Sequence, residues 1–474
     1  MYALLRAIAG IALRWFYRDI RIDGMQRIPA NRPLLLVVNH PNALVDALLV
    51  GWVIPRRVLI TAKSTLFKNP LANLLLRSLG VLPLQRASDL SAGDGKVDPL
   101  RNRDTFRAVL AALGRGGTVL IFPEGKSHDE PALAPLKTGA ARIAMQARDD
   151  DGGGEHRSLL SELAILPIGL TFERKDAPRS RVLVRIGEPI VVATWTPRNA
   201  ASAVDELTAA IDTRLRAVTA NFFTADDAAR ATHLASIVAA ASRAVPNAPR
   251  DHSSLAVEAE IARRVDEIAA RMSDADSATR DRATELARRL DEVHRLAAAH
   301  GIALEDAAVS LDSSDGARFA MREGWMLLVG GPIALWGRFN HWLPFRAARA
   351  VAMRSVASAA DPAMRTLVAG VAFVILCYAV QTVIVGFAFG WIVAIVYLAS
   401  LPIAAEINFR LSDRLRRSRQ RARAFLLFKR TPELQRRLSA ELIALRQQVA
   451  SFDASFKPEA RARDGYGVVA GGGR

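Results

Sequence analysis

The 474-residue chain contains a single cysteine, Cys377. One thiol excludes an intrachain disulfide and any thiolate metal cluster, and Cys377 lies in an apolar run where it reads as a small buried hydrophobe. No signal peptide is expected, because Arg6 and Arg14 interrupt any apolar core near the start and no small-residue cleavage site follows. Internal repeats, a nucleotide-binding glycine fingerprint and metal-ligand spacings of His or carboxylate are all missing. So are nucleic-acid fold motifs and interleaved aromatic platforms. Acidic residues are in deficit: 47 Asp and Glu face 64 Lys and Arg, a formal net charge of +17. Such an excess asks for an acidic partner. Anionic lipid is the favoured one, with RNA the lesser alternative.

Charge of either sign is absent from Thr366 to Ala405, forty consecutive positions. That is enough for two membrane spans at about 20 residues each, with the turn expected at Gly386 to Gly390. Arg346, Arg349, Arg354 and Arg365 precede the stretch, and Arg410 to Arg430 carries nine Lys and Arg against Asp413 alone. By the positive-inside rule both flanks are cytoplasmic, so the segment reads as a transmembrane helical hairpin. The basic helix after it is expected to grip anionic lipid. Trp325 to Trp336 is too short to span and contains Pro332, and reads as interfacial or re-entrant. At the other end, Leu4, Leu5, Ile8, Ile11, Trp15 and Phe16 share one helical face with Arg6, Arg14 and Arg18 off it. That pattern suits a helix lying in the lipid headgroups and equally one capping a domain core.

Between these ends the pattern changes twice. From Ile20 to about Val192, β-rich runs alternate with helical stretches, as in an α/β domain. Strands are expected at Leu34–Val38, Val58–Ala62, Gly80–Leu84, Val119–Phe122, Ile165–Gly169 and Val182–Ile186, with helices at Lys68–Leu79 and Thr105–Leu113. Ser88–Pro99 and Asp149–Ser158 read as polar surface loops. From Thr196 to about Asp315 the composition is rich in Ala, Arg and acids, with helices expected at Ala201–Thr219, Ala225–Ala244, Ser253–Arg271 and Ser277–Ala299. After Phe456 the glycine-rich tail reads as disordered.

Four stretches of the α/β region carry chemistry. The run Leu34–Val38 delivers Asn39-His40-Pro41-Asn42, and a helix then carries Asp46. A histidine at a strand end with a carboxylate on the next helix is a base with its orienter. Alone, the pair reads better as a capped turn with an incidental imidazole. Next, Gly80-Val81-Leu82-Pro83-Leu84-Gln85-Arg86 ends a strand in a guanidinium, the natural fork for phosphate. The third, Phe122-Pro123-Glu124-Gly125-Lys126-Ser127-His128-Asp129, offers a carboxylate and a glycine that permits close backbone approach. Lys137 follows near the start of a helix of small residues, and the fourth stretch is the apolar strand Ile165–Leu170, whose Pro167 suggests an edge or a bulge.

The order of these blocks resembles the glycerolipid acyltransferase superfamily, which includes the glycerol-3-phosphate and 1-acylglycerol-3-phosphate acyltransferases. The resemblance covers roughly Ile20 to Val192. It implies that His40 and Asp46 are the catalytic pair. Arg86, Glu124 and Gly125 would bind the glycerol phosphate, helped by Lys126 or Lys137, and Pro167 would shape the acyl or acceptor site. Two departures stand out. Five residues separate His40 from Asp46, where the family usually has four, and the family's Phe-Pro-Glu-Gly-Thr-Arg-Ser becomes Phe-Pro-Glu-Gly-Lys-Ser-His. Lys126 either restores the lost positive charge or points outward, and His128 reads as a solvated loop histidine.

The expected architecture is an α/β acyltransferase-like domain with a mixed sheet flanked by helices, then a helical region and a C-terminal transmembrane hairpin. Its parts are residues 1–19 (amphipathic helix), 20–195 (acyltransferase domain), 196–320 (helical region), 321–365 (interfacial or re-entrant segment), 366–405 (hairpin) and 406–474 (basic helical tail). The implied activity is transfer of a fatty acyl group from acyl-CoA or acyl carrier protein to glycerol-3-phosphate or 1-acylglycerol-3-phosphate, with no cofactor or metal. The site would face the cytoplasm at a bacterial inner membrane. A lysophospholipid or aminolipid remodelling acyltransferase, a thioesterase and a non-catalytic lipid-binding scaffold are the alternatives.

Overall fold

The computed structural model describes residues 2–63, 81–84, 99–149, 159–243, 254–272, 274–354 and 362–456. Arg86, the helix expected at Lys68–Leu79, most of the two polar loops and the tail beyond Phe456 lie outside them.

Eight strands form one mixed sheet: β1 (Asp19–Asp23), β2 (Leu34–Val38), β3 (Val58–Lys63), β4 (Val81–Leu84), β5 (Thr118–Ile121), β6 (Ala164–Phe172), β7 (Arg181–Ile186) and β8 (Ile190–Val191). The order is β1-β7-β6-β2-β5-β3-β4, with β8 paired to β6. The run β6-β2-β5-β3-β4 is parallel, whereas β7 and β8 meet β6 antiparallel. Strand β2 reads Leu-Leu-Leu-Val-Val without polar alternation because both of its faces are covered, and all five residues are buried. Leu34, Leu36 and Val38 pack with α1 (Tyr2–Phe16) and α2 (Ala43–Val53) on one face. Leu35 and Val37 pack on the other with α3 (Pro99–Leu113), α4 (Gly139–Arg148) and α5 (Ala203–Arg216). The six expected strands are all present. The two additional ones are an edge strand, Asp-Ile-Arg-Ile-Asp, and a two-residue strand, both too short or too charged to announce themselves.

Pro167 is neither at a sheet edge nor in a solvent-facing bulge. Strand β6 runs between β2 and β7, and Pro167 is buried opposite Val37. On the far side of β6, residues 164–165 pair with β8 and residues 168–172 with β7. Proline, lacking a donor, falls in the gap where the neighbour changes, and its carbonyl accepts from Gly187 N–H at 2.8 Å.

The helical region comprises α6 (Ala225–Arg243), α7 (Ser254–Arg271) and α8 (Ser277–Ala299), close to the expected boundaries. Beyond it lie α9 (Ser313–Arg354), α10 (Pro362–Phe389), α11 (Trp391–Arg430) and α12 (Pro432–Ser455). Met364–Phe389 and Trp391–Arg430 are long and apolar enough to cross a membrane, and only 6% and 22% of their most apolar windows are buried. That exposure does not fit the core hairpin of a soluble domain. Gly390, at φ 90°, makes the break where the turn is expected.

Trp325–Trp336, expected as an interfacial or re-entrant segment, is not a separate element. The segment belongs to the 42-residue helix α9, which holds both Pro332 and Pro344. Side-chain bonds tie this helix to its neighbours: Trp336 Nε1 donates to Ser400 Oγ at 3.2 Å, Tyr397 to Asn340 at 2.6 Å, and the His341 ring meets Tyr378 at 2.6 Å. Close approach is possible because Gly337 has no side chain; a Cβ there would stand 2.2 Å from the Ala404 carbonyl oxygen.

Helix α1 caps the sheet core with part of its apolar face. Leu13 and Phe16 are buried in the sheet core, while Leu4 and Ile11 stay exposed. Its Trp15 packs edge-on against His341 and Phe345 of α9, and Leu367 of α10 joins the same core. Arg179, in the turn between β6 and β7, lies over the Phe409 ring and pairs with Asp413 of α11. The α/β domain is thereby seated on the apolar helices.

Candidate active site

Parallel neighbours β2 and β5 end side by side, with Val37 opposite Ile121. The residues after each strand therefore meet at one carboxyl edge of the sheet, where ligands bind in open α/β sheets. His40 comes from β2, and Phe122-Pro123-Glu124 from β5.

His40 Nδ1 lies 3.0 Å from Asp46 Oδ2, so the longer spacing still closes the pair. The turn accommodates its extra residue with Ala43 at φ 46°, a left-handed conformation that costs a non-glycine residue roughly 1–2 kcal/mol. Asp46 sits in the first turn of α2 and is 0% exposed. Its Oδ2 also accepts from Asn42 N–H at 2.7 Å, while Oδ1 is buried without a hydrogen-bond partner. Burial pushes this carboxyl above the ordinary aspartate range, against the opposing pull of the His40 bond, the Asn42 N–H and the Lys175 charge. A carboxylate at Nδ1 holds the ring proton there and leaves the Nε2 lone pair to accept another. The ring stacks on Phe122, centroids 3.7 Å apart and 10° from coplanar, and His40 is 8% exposed.

Around the pair lies a network with no sequence signal. Asn42 Nδ2 donates to the Tyr17 hydroxyl at 3.1 Å and to the Lys175 carbonyl at 3.0 Å, and Tyr17 itself donates to that carbonyl at 3.1 Å. Burial pushes the Tyr17 phenol up, which keeps it a neutral donor. Lys175 Nζ donates to the Pro41 carbonyl at 3.1 Å and pairs with Asp129. Asn39 exchanges two hydrogen bonds with the Leu170 main chain, at 2.7 and 3.0 Å, extending the β2–β6 pairing by one step.

Glu124 faces inward. It is 3% exposed; Oε1 accepts from His40 N–H at 2.8 Å, and Oε2 accepts from Ala134 N–H at 2.8 Å and meets His128 Nε2. A carboxylate so occupied braces the His40 turn. His128 is likewise not solvated. Gly125, at φ 75°, makes the turn after Glu124, with the Lys137 side chain against its open side. Lys126 and Lys137 are exposed, and Lys137 N–H donates to the Pro123 carbonyl at 2.8 Å. Pro167 lies within the sheet, and Arg86 is outside the described residues. Among the described residues no cluster of His, Cys, Asp or Glu is arranged to hold a metal ion.

Residues 19–171 match the family model described as Acyltransferase. This segment is similar to acyltransferase domains, and glycerolipid acyltransferases are among its relatives. Its relatives include glycerol-3-phosphate O-acyltransferase 2 of Saccharomyces cerevisiae, 38% identical over 96 residues, covering 20% of this chain and 12% of the yeast protein. The 1-acyl-sn-glycerol-3-phosphate acyltransferase of Cocos nucifera is 28% identical over 196 residues, covering 40% of this chain and 55% of the other. An uncharacterized acyltransferase of Schizosaccharomyces pombe is 25% identical over 270 residues, 40% of this chain and 38% of its own length. The chain thus spans about half or less of the length of these curated relatives. Among solved structures, a 1-acyl-sn-glycerophosphate acyltransferase from Thermotoga maritima is similar, at 21% identity and a TM-score of 0.33, covering 45% of this chain and 78% of that one. The acyltransferase domain's matched region begins with β1 and ends within β6, so it contains every strand that borders the His40 loop.

Proposed function

We propose that the chain transfers an acyl group from a thioester, acyl-CoA or acyl carrier protein, to a hydroxyl of glycerol-3-phosphate or 1-acylglycerol-3-phosphate at a membrane surface. The observation that carries this reading is the closed His40–Asp46 pair, 3.0 Å apart at Nδ1, which assigns the base's role to Nε2. The acceptor oxygen attacks the thioester carbonyl as its proton passes to His40 Nε2. The C–S bond then breaks, and the imidazolium returns the proton to the departing thiolate. A base so held contributes about 10²–10⁴-fold in rate. Arg86, with Lys126 and Lys137 exposed beside the glycine turn, supplies positive charge for the acceptor phosphate and so fixes where its hydroxyl sits. The apolar hairpin α10–α11, flanked by arginines, anchors the domain with its site on the cytoplasmic side, at an anionic leaflet.

The test is acyl transfer by the purified full chain from labelled acyl-CoA and acyl carrier protein to glycerol-3-phosphate, 1-acylglycerol-3-phosphate and lysophospholipids. Transfer to a phosphate acceptor, lost in His40→Ala and Asp46→Ala, is the expected result. No transfer from either donor to any acceptor, by protein that melts cooperatively, refutes the proposal.

A further inference from the structure

Acyl transfer by His40 and Asp46 makes no use of His128, yet this histidine is built into the site. Its side chain is only 11% exposed. Nε2 meets Glu124 Oε2, Nδ1 accepts from Glu130 N–H at 3.2 Å, and its main-chain N–H donates to the His40 carbonyl at 3.3 Å. These contacts decide the tautomer. A backbone donor occupies the Nδ1 lone pair, so the neutral ring carries its proton on Nε2 and donates it to Glu124.

The carboxylate of Glu124 thereby gathers three donors: the His128 ring, Ala134 N–H and His40 N–H. Next to it, Ser127 Oγ accepts from Ala43 N–H at 3.1 Å. The segment after β5 therefore holds the His40 turn at three points: the His40 N–H, the His40 carbonyl and the Ala43 N–H. That turn contains Ala43 at positive φ, a conformation that persists only when its surroundings impose it. Without the His128 donor, Glu124 Oε2 is held by the Ala134 N–H alone, and the carboxylate's hold on His40 N–H loosens.

We infer that His128 is a positioning residue for the catalytic pair: acting through Glu124, it fixes the His40 main chain and so the place of the imidazole. It touches neither the reacting atoms nor Asp46. The inference rests on His40 as the base, but the chain of contacts can be probed without turnover.

The experiment compares wild type, His128→Ala, His128→Gln, Glu124→Gln and the double variant His128→Ala/Glu124→Gln, each as the full chain in lipid nanodiscs. His128→Ala is expected to lower kcat about 10²-fold, the scale set by a group misplaced by roughly 1 Å, with KM for donor and acceptor unchanged. His128→Gln, whose amide N–H reaches the same oxygen, should recover most of the loss. The double variant should be no slower than Glu124→Gln, because His128 acts through that carboxylate. Additive losses, or a raised KM at unchanged kcat, would put His128 on the substrate and overturn the inference. A second readout is the rate at which diethyl pyrocarbonate modifies His40, followed by peptide mass spectrometry. It should rise equally in His128→Ala and Glu124→Gln and no further in the double variant. Unchanged His40 labelling in folded variants overturns the inference even if acyl transfer is found. Altered labelling without any transfer sinks only the acyltransferase reading.

Discussion

Asp46→Asn keeps the size of the side chain behind His40 and removes its charge. Asp46 Oδ2 serves two donors, the His40 Nδ1–H and the Asn42 N–H. An asparagine oxygen in the place of Oδ2 can accept from both donors and keep the tautomer, but the negative charge that stabilises the imidazolium formed as His40 takes the acceptor's proton is gone. Weakened general-base catalysis lowers kcat about 10²–10⁴-fold, roughly 3–5.5 kcal/mol of barrier. Stability should move the other way. Asp46 is fully buried with Oδ1 unpartnered, and its carboxyl is raised above the unfolded value of 3.8. The folded state therefore binds the proton more tightly than the unfolded one. The stabilisation is complete below pH 3.8 and is lost as pH rises through the folded value. Neutral asparagine has no such slope, so the variant should melt higher than wild type at pH 7 and lose that advantage toward pH 4. Steady-state kinetics and melting across pH 4–8 test both halves. A kcat within threefold of wild type, or a variant that melts lower at pH 7, would refute the reasoning.

Tyr17→Phe removes one donor and one acceptor from the Asn42–Lys175 network, but Asn42 Nδ2 keeps its bond to the Lys175 carbonyl. The expected loss is about 0.5–1.5 kcal/mol of stability by denaturant titration, with a smaller effect on kcat than Asp46→Asn has. Gly337→Leu forces a side chain into a backbone contact, since even a Cβ would lie 2.2 Å from the Ala404 oxygen. Separation of α9 from α11 should cost about 1–3 kcal/mol or more and appear as earlier thermal unfolding in nanodiscs, whereas Gly331→Leu, where a Cβ would meet nothing within 4 Å, should not.

Much of the site was legible because local chemistry wrote it. Buried parallel strands need unbroken apolar runs, so Leu34–Val38 and its five counterparts stand out, and the groups they deliver follow directly after. The forty uncharged residues from Thr366 to Ala405 mark, in the same local way, two helices long and apolar enough to cross a membrane. Helix periodicity placed α6, α7 and α8 closely, and the block order carried the family. Each of these is a property of a short window of chain.

What only the tertiary structure decided depends on which distant windows become neighbours. Glu124 turns inward because the parallel pairing of β2 with β5 brings its carboxylate to His40 N–H, 84 positions earlier. Tyr17 and the Lys175 carbonyl meet across 158 positions because β1 and β7 lie side by side. Trp325–Trp336 looks interrupted by Pro332 in isolation, and is part of one 42-residue helix bonded to α11 through Trp336 and to α10 through His341. Periodicity and motif spacing describe a chain against an average environment. Hydrogen bonds between residues scores of positions apart are set by strand order and helix approach, and no local pattern records those.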